Sequence, residues 1–155
     1  MKNLLLILLT ATLVTSCIDT TEPMGLGISV KKLGKVSGFA LKECYEKNCV
    51  NSQREITDEK QFIEPIKIVA TKDIAYEKIM KIILKEEGIN IANSTSNYIR
   101  AKQVLYGKLV TDIEFFFGQN KKVQMRAEMR GVPYDLGNSR RVLESIRFKF
   151  HQNDY

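Results

Sequence analysis

Charged side chains in the second half of the chain have the types and the spacing that chemistry requires. Asp112 and Glu114 lie two positions apart, a spacing at which two carboxylates can act together as an acid and a base. Arg126 and Arg130 carry guanidinium groups that can fork onto a carboxylate or a phosphate. The candidate cluster of binding or structural residues comprises Asp112, Glu114, Arg126, Arg130, Asp135 and Arg140.

Two functions and one structural role are open for this cluster. It can serve a non-enzymatic module that binds an envelope protein, a lipid or a glycan. It can instead hydrolyse an envelope polymer through Asp112 and Glu114, although neighbouring arginines favour the ionised carboxylates of salt bridges over a general acid. The structural alternative is a cross-strand charge ladder, and we expect a partly buried network beside the last helix. No catalytic residue, metal or other cofactor is assigned.

The beginning of the chain is typical of a bacterial lipoprotein. One lysine precedes an apolar run over residues 4–14, which is too short to span a bilayer. Val14-Thr15-Ser16-Cys17 then has the aliphatic, small, small, cysteine order of a lipobox. We expect cleavage after residue 16 and lipidation of Cys17, with palmitate among the acyl chains. An ordinary soluble secreted protein is the alternative.

The residues after Cys17 indicate the membrane to which the protein is anchored. Ile18, rather than an aspartate, follows the cysteine. For a Gram-negative source this favours the outer membrane, with the protein facing the periplasm. The stretch 18–38 holds four glycines and one proline, which indicates a flexible tether with a short strand over residues 28–30.

The other two cysteines, Cys44 and Cys49, lie five positions apart. In an oxidising compartment an even pair favours a disulfide bond. Half of a metal site is the alternative, but besides carboxylates the chain offers only His151 as a further ligand.

Composition indicates one globular domain with a moderately basic surface. Apolar residues make up 44% of the chain and charged residues 27%. The formal net charge of +6 would favour nucleic acid as the partner of a cytosolic protein, but an exported chain meets lipid head groups and polyanionic glycans instead. We therefore expect no nucleic-acid partner.

Apolar periodicity predicts a strand, a helix, four more strands and a second helix. The run 66–71 is apolar and β-branched, and Asp73 is the candidate N-cap of the helix that follows. This helix ends at Gly88 and places Ala75, Ile79, Ile82 and Ile83 on one face. The four later strands are predicted over residues 89–93, 97–107, 109–118 and 121–130.

One register of the last two strands sorts their side chains onto separate faces, and a slip of one residue would set Ile113 opposite Arg126. A turn centred on Asn120, which tolerates left-handed geometry, gives that register. The apolar face then holds the pairs Phe117–Val123, Phe115–Met125 and Ile113–Ala127, and the opposite face holds Glu114–Arg126 and Asp112–Glu128. We expect the opposite face to be wet and charged.

The last helix is predicted from Asn138 or Ser139, either of which is a candidate cap, although alternating apolar residues near its end also permit a strand. Its inward residues are Val142, Leu143, Ile146 and Phe150. The predicted fold class is α+β, a single antiparallel sheet of about five strands with two helices packed on one face.

Three motifs resemble those of a known family. They are Cys44 with Asn48-Cys49-Val50-Asn51-Ser52, then Asp112-Ile113-Glu114-Phe115, then Arg126, Arg130, Gly131, Asp135 and Gly137. Over about residues 40–150 the sequence resembles the family catalogued as domain of unknown function 1499, found in bacterial envelopes and in plastids. Thr111 replaces an acid of the family pattern, and Ala127 and Met129 replace two serines. The resemblance implies a fold and an envelope location but no activity.

The sequence thus predicts an envelope lipoprotein that acts as a binding or assembly module. Its segments are a signal peptide over 1–16, the lipidated cysteine and tether over 17–38, a globular domain over 39–151 and a tail over 152–155.

Overall fold

A computed structural model describes residues 35–36 and 40–152 of the chain. The signal segment, Cys17 and the strand expected at residues 28–30 lie outside the described residues. The strands are β1 (Lys35–Val36), β2 (Ala40–Leu41), β3 (Cys49–Asn51), β4 (Ile66–Lys67), β5 (Ile89–Thr95), β6 (Tyr98–Leu105), β7 (Leu109–Phe117) and β8 (Lys122–Met129). The helices are α1 (Lys72–Lys85) and α2 (Asn138–His151).

Six of these strands form one antiparallel sheet in the order β3, β8, β7, β6 and β5, with β4 paired beside β3 on the same edge of β8. Both helices contribute to one apolar core with β6, β7 and β8. The α+β class with one antiparallel sheet and two helices is thereby confirmed. Within the described ranges, neither helix has the length and apolar content needed to cross a bilayer.

The register between β7 and β8 is the predicted one. Phe115 lies opposite Met125 and Ile113 opposite Ala127, and all four side chains are buried in the core. The left-handed residue of the turn, however, is Lys121 with a φ of 50°, not Asn120. The Lys121 carbonyl accepts a hydrogen bond from Ile68 N at 2.9 Å, which fixes this end of the hairpin against the segment that follows β4.

The prediction of a strand over 66–71 is wrong beyond Lys67. The partner strand β8 begins at Lys122, opposite Lys67, so residues further along have no strand to pair with. They lead into α1 instead, whose N-cap is Thr71 rather than Asp73, since Thr71 Oγ1 accepts from Ile74 N at 3.3 Å. The buried face of α1 matches the prediction, and the helix ends at Lys85, before Gly88.

The start of α2 differs from the prediction because neither Asn138 nor Ser139 caps it. Gly137 is the N-cap, with a left-handed φ of 78° and no side chain to accept a bond. The carboxylate of Asp135 takes that role, since its two oxygens accept from Gly137 N at 2.9 Å and Ser139 N at 2.7 Å. At its other end α2 remains helical to His151, with the predicted apolar residues buried.

The sheet face opposite the helices is covered, so the expectation of a wet face is wrong. Strand β1, which lies within the range predicted to be a tether, pairs with β2. Strand β2 contacts β7 and β8, and its Leu41 forms a second apolar cluster with Tyr98 and Phe116. Leu41 N also donates to Gln53 Oε1 at 2.7 Å. The charged residues of β7 and β8 therefore lie between two layers of protein.

The other edge of the sheet is β5, which pairs only with β6 among the described strands. Its register shifts between Ile91 and Asn93, which marks a β-bulge. The exposed side chains of this strand are small or polar: Asn90, Ala92, Asn93, Ser94 and Thr95.

Candidate functional site

The six residues of the predicted cluster do not form one site. Asp112, Glu114 and Arg126 lie on β7 and β8, and Arg130 follows directly after β8; together they form a buried charge network. Asp135 and Arg140 lie at the start of α2 and line an open cleft. The network and the cleft have different chemistry and are described in turn.

The centre of the network is the ion pair of Glu114 and Arg126. Both side chains are 0% exposed, and Arg126 Nη1 lies 2.9 Å from Glu114 Oε2. The other oxygen of Glu114 accepts from the hydroxyl of Tyr98 at 2.5 Å, and Arg126 Nη2 contacts Glu128. Arg126 Nε has no hydrogen-bond partner among the described residues. The guanidinium of Arg126 and the hydroxyl of Tyr98 thus both hold the buried carboxylate.

A second ion pair lies beside the first. Arg130 forks onto Asp112, with Nε 2.6 Å from Oδ2 and Nη2 2.8 Å from Oδ1. Arg100 Nε lies 3.6 Å from the same carboxylate, whose side chain is 3% exposed. Both carboxylates that a hydrolase would use are therefore buried and paired with arginine.

Tyr98 acts in this network as a hydrogen-bond donor. Burial raises the pKa of its hydroxyl far above its usual value of 10, and the adjacent negative charge of Glu114 raises the pKa further. The hydroxyl therefore remains protonated and continues to donate to Glu114 throughout the neutral and mildly alkaline range.

The cleft has a volume of about 900 Å³ and lies between three segments of the chain. The first is the loop closed by the disulfide of Cys44 and Cys49, whose Cα atoms are 5.4 Å apart, as predicted from the cysteine count. The second runs over residues 58–61, and the third over residues 133–140. Tyr45 on the first segment and Tyr134 on the third are 67% and 65% exposed.

Asn48 fixes the disulfide loop to the end of β8 and the start of α2. Its side-chain Nδ2 donates to the carbonyls of Met129 at 2.6 Å and Val132 at 2.5 Å. Its own carbonyl accepts from Ser139 Oγ at 2.8 Å. The first and third segments are thereby joined by hydrogen bonds that are mostly buried.

Arg140 joins the second segment to the helix. Its Nη2 donates to the carbonyls of Phe62 at 2.7 Å and Glu59 at 3.0 Å. Gln61 Nε2 in turn donates to the carbonyl of Glu46 at 2.6 Å, which connects the second segment to the disulfide loop. Because all three walls are cross-linked, the cleft is formed before any ligand enters, which lowers the entropic cost of binding.

The net charge of the side chains that line the cleft is positive, because three cations (Lys47, Lys60 and Arg140) stand against two carboxylates (Asp58 and Asp135). Asp58 is paired with Arg54 at 2.7 Å, and the hydrogen bond from that guanidinium lowers the pKa of the carboxyl. Asp135 accepts from two backbone N–H groups at the start of α2. Lys47 and Lys60 are exposed, and no described carboxylate lies within salt-bridge distance of either ammonium.

One acceptor in the cleft wall lacks a donor. Asn48 is only 3% exposed, and its Oδ1 accepts no hydrogen bond from the described residues. The two carbonyls that take its Nδ2 hydrogens fix the amide, so Oδ1 cannot exchange places with the nitrogen. A buried acceptor of this kind calls for a water molecule or a ligand hydroxyl.

The cleft residues Tyr45, Lys47, Lys60 and Tyr134 were not among the sequence candidates. Their segments are separated by up to 89 positions, counting from Tyr45 to Tyr134, and no periodic pattern connects them. The one available signal was the short disulfide loop, since a closed loop of this size holds its side chains in place. In the part of the chain that the structure describes, no three His, Cys, Asp or Glu side chains are grouped to hold a metal ion.

A comparison with family models finds one match, described as protein of unknown function (DUF1499), over residues 40–150. No curated protein matches the chain. The matched range includes the charge network, the disulfide loop and every wall of the cleft.

We predict that Arg126→Ala lowers the free energy of unfolding by about 3–5 kcal/mol, because it removes the arginine that pairs with the buried Glu114 at 2.9 Å. Arg147→Ala is the matched control: its pair with Glu144 is partly exposed, and its loss should cost no more than about 1 kcal/mol. Urea unfolding of both variants measures the difference. Equal losses would show that the buried pair contributes no more than a surface pair.

We also predict that stability falls as the pH rises above about 10. The folded protein keeps Tyr98 protonated where the unfolded chain begins to lose the proton, so its contribution is present below pH 10 and declines above it. Tyr98→Phe should be less stable than wild type at pH 8, because Glu114 loses a donor, and should show a shallower decline between about pH 9 and 11. Parallel slopes for the two proteins would contradict this role of Tyr98.

Proposed function

Because this chain belongs to the family of proteins of unknown function DUF1499, whose description carries no activity, we propose a function from its own residues. The protein is a non-enzymatic binding module of the cell envelope. A lipid on Cys17 holds it at a membrane, and the cleft between the disulfide loop and α2 receives the ligand.

The proposed anchor is supported by the sequence before the folded domain. The apolar run and Val14-Thr15-Ser16-Cys17 match the substrate of lipoprotein processing, and Ile18 favours the outer membrane of a Gram-negative cell. The disulfide of Cys44 and Cys49 is consistent with an oxidising compartment such as the periplasm. Stable anchoring requires more than one acyl chain, which modification of both the sulfur and the new amino group would supply.

The observation that carries the binding function is the cross-linked cleft. Its volume of about 900 Å³ falls within the range of small-molecule sites, roughly 300–1,000 Å³. Exposed aromatic rings on two of its walls, together with lysines that have no carboxylate partner among the described residues, provide contact area and charge for a partner.

The geometry favours this function over hydrolysis. A glycoside hydrolase needs one carboxyl group that can release a proton at the substrate and a second that can reach it. Asp112 and Glu114 are buried and paired with arginines, so neither faces open solvent. The binding function uses the cleft and leaves the network as structural support.

Lipidation of Cys17 is tested by the intact mass of the protein extracted from membranes. We expect a chain that begins at Cys17 and carries the added mass of acyl groups, since the lipobox directs both reactions. A Cys17→Ser variant should lose that mass and leave the membrane fraction, whereas a Cys44→Ser/Cys49→Ser variant should keep it. A soluble wild-type protein that begins at another residue would refute the anchor.

The binding role of the cleft is tested with cell-envelope fragments from a strain lacking this protein, in detergent that suppresses binding through acyl chains. Fragments should retain the wild-type protein and a Tyr106→Ala control, whose 91%-exposed ring lies outside the cleft. A Tyr45→Ala/Tyr134→Ala variant should be retained at least about tenfold less, as expected when aromatic contacts are lost. Equal retention of all three proteins would exclude the cleft as the binding site.

A further inference from the structure

The distribution of charge in the cleft selects the sign of its ligand. Its two carboxylates are already satisfied within the protein, Asp58 by Arg54 and Asp135 by the backbone of α2. Lys47 and Lys60 line the same cleft from different segments, and neither has a carboxylate partner among the described residues. A ligand that enters the cleft therefore gains from carrying negative charge.

The aromatic side chains favour a ligand that carries a ring with an apolar face. Tyr45 and Tyr134 each expose about two-thirds of their surface at the cleft walls, and each presents a flat apolar face with a hydroxyl at its edge. The C–H face of a sugar ring packs against such a surface, while its hydroxyl groups remain available for hydrogen bonds. A purely inorganic anion would make no use of these rings.

As the ligand class of the binding function proposed above, and presupposing it, we infer that the cleft binds an anionic sugar. Lys47 and Lys60 bind its phosphate or carboxylate group, and Tyr45 and Tyr134 pack against its ring. Envelope polymers that carry phosphorylated sugars or uronic acids are sources of this chemistry.

Isothermal titration calorimetry on the mature protein purified from cells tests the class with four probes: glucose 1-phosphate, glucuronic acid, glucose and inorganic phosphate. At least one of the two anionic sugars should bind at least about tenfold more tightly than both glucose and inorganic phosphate. Tighter binding of glucose 1-phosphate identifies phosphorylated sugars as the source, and tighter binding of glucuronic acid identifies uronic acids. Raising the salt concentration should weaken the interaction.

Variants separate specific binding from general attraction to a basic protein. Lys47→Gln/Lys60→Gln should weaken binding of the preferred anionic sugar at least about tenfold. Lys81→Gln removes an exposed lysine of α1 outside the cleft and should leave the affinity unchanged. Tyr45→Ala/Tyr134→Ala should also weaken binding, with Tyr106→Ala as its control. All of these side chains are exposed, and thermal melts should confirm that the variants remain folded.

Several results would overturn the assignment. Inorganic phosphate that binds as tightly as glucose 1-phosphate would reduce the cleft to a simple anion site. Glucose that binds as tightly as the anionic sugars would show that charge plays no part. If no anionic sugar binds while envelope fragments still require Tyr45 and Tyr134, the ligand class is wrong and the binding function stands; if that requirement also fails, both are wrong.

Discussion

Glu114 is fully buried near the middle of a six-stranded sheet, and a carboxylate in such a position is stable only beside a cation. Arg126 lies directly opposite Glu114 on β8. The register of the β7–β8 hairpin therefore also determines that this buried carboxylate is paired with a cation. A slip of one residue would bury an isolated charge as well as exposing the core.

The sequence allowed the helix faces and the β7–β8 register to be predicted, because both follow from the periodic placement of apolar residues such as Ile113 and Phe115. It did not allow the burial of the second face to be predicted. Asp112 and Glu114 alternate with apolar residues in a pattern typical of a solvent-exposed face, and the cover comes from residues near 40, far away in sequence. Helix starts were also missed, since Asp135 caps α2 from a position outside the helix.

The cleft could not be predicted, because its walls come from three distant segments and only their packing brings them together. Asp135 and Arg140 were predicted to belong to one charge cluster with residues of β7 and β8, but each acts in the structure through backbone groups: one caps a helix and the other holds a loop. The end of β8 connects the charge network to the disulfide loop of the cleft. Arg126 and Arg130 hold the network there. Met129 lies between them in the sequence, and its carbonyl accepts a hydrogen bond from Asn48 of the disulfide loop.

The irregular edge strand β5 has a consequence for many copies of the chain together. An open sheet edge can accept a strand from a neighbouring molecule, and this intermolecular pairing leads to aggregation. The proposed anchor would confine copies to one plane and raise their local concentration. The bulge between Ile91 and Asn93 breaks the run of evenly spaced backbone groups, and the exposed asparagines offer a second strand little apolar surface. The edge is therefore a poor template for pairing with a strand of another molecule. Many copies at such a crowded membrane surface would remain separate molecules.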